Sequence, residues 1–357
     1  MGRCGVLFIA VGTPPLGSGD ADLTAVEEVV RQIISKGRGY RLIVEKSTVP
    51  VETGRRIREV LKNARRKGAE FEVASNPEFL REGAAVEDFF KPDRIVIGVE
   101  SARARRILEE LYRPLKASLV VTDVESAELI KHASNAFLAT KISFINAIAG
   151  LCDRVGADVE KVAEGMGLDR RIGRSFLRAG LGYGGFCFPK DLDAFIRISE
   201  KLGYDFQLLK ATREINEGQK GILLEKISRL LWNLKGKRIG LLGLAFKPDT
   251  DDLRFAPSLE LIERLRQAGA RVSVHDPRAM PAARRLLKSV RFAKDPYQLA
   301  RGADCLVLVT EWEIFRRLDF RKIRRLMHQP VLVDGRNLYE PEAIKRLGFR
   351  YAGMGRG

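Results

Sequence analysis

Apolar runs of strand length alternate with apolar positions at helical spacing through the first third of the chain. Gly5–Val11 reads as a buried strand, Leu23–Ser35 as an amphipathic helix, Arg41–Val44 as a strand and Thr53–Lys67 as a helix. Phe71–Ala74 and Arg94–Val99 are further strands, and Ala102–Leu111 is another helix. Strands separated by helices predict parallel strands joined by crossovers. From Val124 to about Val155 the pattern changes to one long helix, with Leu129, Ile130, Ala133, Phe137, Ile142, Ile145 and Ile148 on its apolar positions. Val159–Gly165 and Asp191–Leu202 are predicted helices, separated by a glycine-dense loop, Ala179–Asp191. After Asn216 the α/β pattern restarts, with strands at Arg238–Leu244, Arg271–His275, Cys305–Val309 and Val331–Val333 and a helix at Pro257–Ala268. The order is α/β, helix, α/β, with boundaries at residues 1–122, 123–215 and 216–357.

Composition narrows this picture. The chain has 357 residues, 45% hydrophobic and 31% charged, which excludes a disordered or fibrous chain. No apolar run approaches the roughly 18 residues of a membrane span, so no membrane is expected. Met1–Val11 runs straight into Gly12–Thr13–Pro14–Pro15, which reads as a buried strand rather than a signal peptide. Cys4, Cys152, Cys187 and Cys305 lie far apart, against a zinc site or a disulfide scaffold and in keeping with a cytoplasmic location. With three histidines, a metal centre or a histidine triad is poorly supported, and no metal is expected. The formal charge is +17, but the basic residues sit at helical spacing without interleaved aromatics, so no nucleic-acid partner is expected.

Several residues could carry chemistry. Gly180, Gly182 and Gly185 satisfy G-x-G-x-x-G, yet the dinucleotide fingerprint follows a strand and opens a helix, whereas Arg174–Arg178 looks helical. Close backbone approach to a ligand or to Cys187 explains these glycines better. For Cys187 two readings are open: an inert buried thiol, or a nucleophile on a loop with Lys190 three residues on. Lys131 and Asn135, four residues apart, share one helix face, either a solvated stripe or a donor pair. Glu78 and Glu82 follow the strand Phe71–Ala74, on the side where open α/β sheets bind ligands. Lys247, Arg254 and Arg336 follow later strands, as surface cations or as a diphosphate cradle.

In combination these stretches resemble a known family. Phe8–Pro14, Glu45–Pro50, Ser75–Gly83, Glu128–Lys131 with Asn135–Phe137, Gly182–Asp191, Gly243–Lys247 with Arg254, and Asp334–Arg336 resemble the UDP-glucose/GDP-mannose dehydrogenase family, in that family's order. The resemblance implies two Rossmann-like parallel-sheet domains joined by a long central helix. It implies NAD as cofactor and the two-step oxidation of UDP-glucose to UDP-glucuronate. Cys187 would form a thiohemiacetal and then a thioester. Lys131 and Asn135 would hold the oxyanion, Asp191 would orient water or Lys131, and Glu78 would act as acid and base. Phe79, Leu80, Phe176, Tyr183, Gly184, Phe246, Lys247 and Arg336 would contact the nucleotide sugar. Arg171 would reach in from a neighbouring subunit of a homodimer. Val11, Thr13, Pro14, Ser47, Thr48, Glu82, Lys190 and Arg254 would face the cofactor.

One family feature has no counterpart. The family opens with a strand and a G-x-G-x-x-G turn, and at about 30 residues per βαβ unit roughly 70–80 residues of that domain are expected to be missing. The first domain is therefore expected to be N-terminally truncated, with an apolar sheet edge. Two alternatives follow: a catalytically impaired nucleotide-sugar-binding remnant, or a dehydrogenase of a UDP-N-acetyl sugar or GDP-mannose.

Overall fold

The computed structural model of the protein describes residues 4–17, 20–64 and 68–357. It divides into two compact units, Met1–Ala136 with Lys190–Phe206, and Phe137–Pro189 with Gln207–Gly357. The central helical segment is thus shared between the units.

The first unit runs β1 (Val6–Ile9), α1 (Thr24–Lys36), β2 (Gly39–Glu45), α2 (Thr53–Asn63), β3 (Ala69–Ser75), α3 (Ala85–Phe90), β4 (Arg94–Gly98), α4 (Ala102–Tyr112) and β5 (Ser118–Thr122). The predicted continuation of α2 to Lys67 lies partly outside the described residues. The helix α3 and the strand β5 are short and carry no clear apolar period, so the pattern did not predict them. Strand order is β1-β2-β3-β4-β5. Alternation along β2 sends Ile43 to one face, with Val26, Val30 and Ile33 of α1 and Ile57 and Leu61 of α2. Leu42 and Val44 go to the other face, with Ala104, Leu108 and Tyr112 of α4. The expectation of an all-parallel sheet needs one correction. β3 and β4 meet antiparallel, through the single pair Ser75–Gly98. The connection between them, residues 76–93, holds only the short helix α3. β1 forms one edge of the sheet, and its Phe8 is exposed.

Two helices run through both units. α5 (Val124–Val155) matches its predicted span, and α7 (Cys187–Lys201) begins at Cys187, four residues earlier than predicted. Cys187 is therefore not on a loop but in the first turn of a helix. Between them, α6 (Val159–Gly167) is capped by the Asp158 carboxylate, which accepts from Glu160 N at 2.9 Å. Arg174–Arg178 is irregular rather than helical. The expectation that no segment has membrane-span length is also corrected: α5, with 32 residues, is long and apolar enough to cross a membrane. Its buried polar side chains are bonded within the protein, Ser143 Oγ to Thr212 O at 2.7 Å and Asn146 Oδ1 to Gly180 N at 2.8 Å, as in a core helix.

In the second unit, α8 (Gln207–Leu231) precedes β6 (Arg238–Leu242), α9 (Pro257–Gln267), β7 (Arg271–His275), α10 (Met280–Leu286), β8 (Arg291–Phe292) and α11 (Pro296–Ala300). Then come β9 (Cys305–Leu308), α12 (Glu313–Arg316), α13 (Phe320–Leu326), β10 (Val331–Asp334), α14 (Pro341–Arg346) and β11 (Arg350–Gly353). The order β11-β10-β9-β6-β7-β8 is the doubly wound arrangement, and its direction reverses between β6 and β9. Every residue of β9 and β10 is buried, as in a parallel strand covered on both faces.

Candidate active site

Within the first unit, the start of α5 meets the segments that follow β2 and β3. Lys131 and Asn135 lie one turn apart and are both buried. Lys131 Nζ donates to Glu78 Oε1 at 2.9 Å, and Glu78 Oε2 accepts from Leu80 N at 2.7 Å. Asn135 Nδ2 donates to Asp191 Oδ2 at 2.6 Å, and Asp191 also pairs with Lys190 Nζ at 2.8 Å. The donor-pair reading of Lys131 and Asn135 therefore holds over the solvated stripe. Phe79 has the Arg94 guanidinium 3.8 Å from its ring centroid and the Lys131 ammonium 5.5 Å away.

Sequence reasoning missed two neighbours of this cluster. Lys46 Nζ donates to Asn76 Oδ1 at 3.0 Å, and the Tyr112 hydroxyl donates to the same oxygen. Burial pushes the Lys46 ammonium down to about 8, Glu78 pulls it back up and Lys131 pushes it further down. Lys46 and Lys131 thus lie near the one carboxylate of Glu78, and only Lys131 pairs with it directly. Their only sequence signal was position, because both follow strands inside the quoted Glu45–Pro50 and Ser75–Gly83 stretches.

The loops after β1 and β2 brace each other. Val11 N donates to Ser47 Oγ at 2.9 Å, Ser47 Oγ donates to Val11 O at 2.7 Å, and Thr13 Oγ1 donates to Thr48 O at 2.8 Å. Lys190 Nζ lies 3.5 Å from Thr13 Oγ1. Pro14 closes the stretch through its carbonyl, which accepts from Asp22 N at 2.8 Å. Glu82 is half-buried in the turn before α3.

In the second unit the glycine-dense loop is held along its length. Leu181 N donates to Gly335 O at 2.8 Å and Gly185 N to Arg254 O at 3.1 Å. Tyr183 N donates to Asn216 Oδ1 at 2.8 Å, while Asn216 Nδ2 donates back to Tyr183 O at 3.1 Å. Gly185 has φ +81°, and a Cβ there would stand 2.6 Å from the Phe246 ring. Gly184 packs its backbone on Phe255 in the same way. Close backbone approach accounts for these glycines, but to Asn216, Phe255 and Phe246 rather than to Cys187 as expected. Phe176, at φ +65°, and Tyr183 both pack against Phe188, beside Cys187. Cys187 itself is exposed, against the inert buried reading. A helix N-terminus attracts negative charge there.

The second unit's cations are partly committed. Arg336 donates from Nε to Val309 O at 2.7 Å, from Nη1 to Gly182 O at 2.8 Å and from Nη2 to Phe246 O at 3.3 Å. It braces the glycine loop against the strand ends. Arg254 pairs with Asp252 at 2.7 Å and lies 4.3 Å from the Phe186 ring centroid. Lys247 is half-buried, 5.7 Å from the Phe246 ring centroid. Arg171 is exposed and pairs with Asp169 at 2.6 Å. In the first turn after β6, Leu244 N and Ala245 N donate to Asp276 at 2.7 and 3.1 Å. The chain's own carboxylate therefore occupies the amides that a dinucleotide domain offers to diphosphate.

Each unit holds an α/β sheet of the class that binds nucleotides at the carboxyl ends of its strands. Residues 1–116 match the NAD binding domain of the UDP-glucose/GDP-mannose dehydrogenase family, residues 125–218 its central domain and residues 240–341 its UDP binding domain. The chain belongs to that family. It is 47% identical over 352 residues to UDP-glucose 6-dehydrogenase TuaD of Bacillus subtilis, covering 98% of this chain and 76% of that protein. It is 49% identical over 366 residues to UDP-glucose 6-dehydrogenase of Pseudomonas aeruginosa, covering 98% and 80%. The structure of a UDP-glucose dehydrogenase from the hyperthermophilic archaeon Pyrobaculum islandicum superposes with a TM-score of 0.90 at 44% identity, covering 99% of this chain and 80% of that one. The expected truncation of the first domain gains no support, since the NAD binding domain match begins at residue 1.

The residues around β1 and β2 fit part of NAD. The hydroxyls of Thr13, Ser47 and Thr48 and the Lys190 ammonium are groups of the kind that hydrogen-bond the ribose hydroxyls and carboxamide of NAD. The spacing G-x-G-x-x-G does not occur in residues 1–122.

Proposed function

We propose that the chain oxidises UDP-glucose to UDP-glucuronate in two NAD-dependent steps. The observation that carries the chemistry is the buried pairing of Lys131 with Glu78 and of Asn135 with Asp191 on successive turns of α5. Relatives named UDP-glucose 6-dehydrogenase, 47% and 49% identical, support the choice of sugar.

Bound NAD supplies a hydride acceptor for each oxidation. Glu78 takes the proton of the C6 hydroxyl. The Cys187 thiolate adds to the resulting aldehyde, forming a C–S bond while the carbonyl oxygen gains the negative charge. Lys131 and Asn135 donate hydrogen bonds to that oxyanion. After the second oxidation water attacks the thioester, with Asp191 orienting it and Glu78 taking its proton. The C–S bond breaks and Cys187 leaves as thiolate. Phe79, Leu80, Phe176, Tyr183, Gly184, Phe246, Lys247 and Arg336 form the nucleotide-sugar seat, Arg336 by holding Gly182 and Phe246 in place. Val11, Thr13, Pro14, Ser47, Thr48, Glu82, Lys190 and Arg254 form the cofactor side.

The chain works as a homodimer in this reading. Phe137, Phe144 and Leu151 recur every seven residues on α5 and are exposed, a stripe suited to a second copy. Arg171 contributes to the partner's site. The wide separation of the four cysteines along the sequence suits a cytoplasmic location.

Incubating the purified chain with UDP-glucose and NAD tests the proposal. Two NADH per UDP-glucuronate are expected. No NADH from UDP-glucose, with turnover of GDP-mannose or a UDP-N-acetyl sugar instead, would replace the substrate. No turnover of any of them would overturn the activity.

A further inference from the structure

α5 does more than carry Lys131 and Asn135. One face of its first turns, Glu128 and His132, is spent on the connection between β2 and α2. Glu128 Oε2 accepts from Glu52 N at 2.7 Å and Oε1 accepts from Gly54 N at 2.8 Å. These are orphan donors at the start of α2, and no side chain of its own N-cap residue satisfies them. That residue, Glu52, has φ +77°, a left-handed conformation that costs a non-glycine residue free energy unless its surroundings impose it. Gly54 allows the close approach, because a Cβ there would stand 2.5 Å from Val124 Cγ1 of α5.

One turn further on, His132 Nε2 lies 2.7 Å from Val49 O. Burial disfavours the charged imidazolium, so the ring is neutral and Nε2–H is the donor. Both side chains are almost completely buried. Residues 46–52 are thus gripped at Val49 and at Glu52 by side chains four positions apart on α5. Between those grips lie Ser47 and Thr48, tied to the β1 loop, and on the adjoining face of the same two turns lie Lys131 and Asn135.

We propose that Glu128 and His132 are positioning residues that fix residues 46–52, and so seat Ser47 and Thr48 against NAD, from the helix that carries Lys131 and Asn135. The inference rests on the NAD-dependent activity proposed above. The two hydrogen bonds that Glu128 accepts from Glu52 N and Gly54 N hold the strained Glu52 in place, and His132 sets the height of the loop. Neither side chain needs to touch substrate or cofactor.

The test uses the full chain with Glu128→Ala, Glu128→Gln and His132→Ala, reading amide hydrogen exchange, NAD affinity by calorimetry and UDP affinity as the internal control. Glu128→Ala should speed exchange at Glu52 and Gly54 and weaken NAD binding about tenfold, with UDP affinity within twofold. Glu128→Gln keeps one acceptor and should recover most of the NAD affinity. His132→Ala should weaken NAD binding without speeding exchange at Glu52 and Gly54. Faster exchange with unchanged NAD affinity would overturn the positioning role, as would equal losses of NAD and UDP affinity. If Glu128→Ala fails to fold, unchanged NAD affinity in both Glu128→Gln and His132→Ala would overturn it. Absence of NAD binding by the unsubstituted chain would overturn the proposed activity and the clamp together, an outcome separable from loss of the clamp alone.

Discussion

Cys187 and Lys131 face different physical problems. As the proposed nucleophile, Cys187 needs access, and its exposed position in the first turn of α7 provides it. Cys187→Ala should cut uronate formation by on the order of a thousandfold or more, with UDP affinity unchanged, as read by product assay and calorimetry. Lys131 must keep a buried cation pointed at one place, and Glu78 does this at 2.9 Å. Lys131→Met removes an oxyanion donor, so kcat should fall by about 10²–10³. The change also removes the ion-pair partner of Glu78, which is about a quarter exposed and keeps its bond from Leu80 N, so stability should drop by about 1 kcal/mol in a denaturant titration.

At the scale of elements, the start of α5 and the end of β2 form an acidic junction. The Glu45 carboxyl is buried, and burial together with Glu128 raises its proton affinity. Burial pushes Glu128 up to about 7, against hydrogen bonds from Gly54 and Glu52 that lower it, with Glu125 and Arg58 as its charged neighbours. The folded chain therefore keeps a proton that the unfolded chain releases near 4.5. Stability from this junction is complete below about pH 4.5 and is lost as pH rises through about 7. Glu45→Gln should flatten that slope in thermal melts recorded from pH 5 to 8. A slope unchanged by the substitution would remove the pair as its cause. The glycine loop makes the opposite demand, for space. Gly185→Val meets both a positive φ and the Phe246 ring, and should cost about 3 kcal/mol or more and weaken UDP binding. Gly203, at φ +75° with open space around it, should tolerate alanine with a far smaller loss.

For the whole molecule, the exposed stripe of α5 sets the expected assembly. Phe144→Asp with Leu151→Asp should shift sedimentation from dimer to monomer, while a wild-type monomer at micromolar concentration would remove the dimer from the proposal. Basic residues on helix faces form ion pairs such as Arg105–Glu109 and Arg229–Glu225. Such pairs are solvated surface, each contributing little to stability.

The strand and helix series was legible wherever burial imposed a period: α5 over its whole span, α1 through Val26, Val30 and Ile33, and the buried strands of the second sheet. The start of α7 was misplaced because Pro189, read as loop, sits in its first turn, where a missing N–H costs nothing. Candidate residues were legible as types, because a thiol beside glycines and a lysine four positions before an asparagine are local patterns. Their roles were not. The bonds from Glu128 to Glu52 and from His132 to Val49 join residues 76 and 83 positions apart, and no local pattern records them. The same holds for Lys46, whose shifted ammonium exists only because folding buries it near Glu78 and Lys131. Local propensity and hydrophobic period depend on neighbours along the chain, so the sequence alone determined the elements and the chemical inventory. Desolvation and long-range hydrogen bonds depend on neighbours in space, so only the tertiary structure decided which carboxylates, cations and loops act on one another.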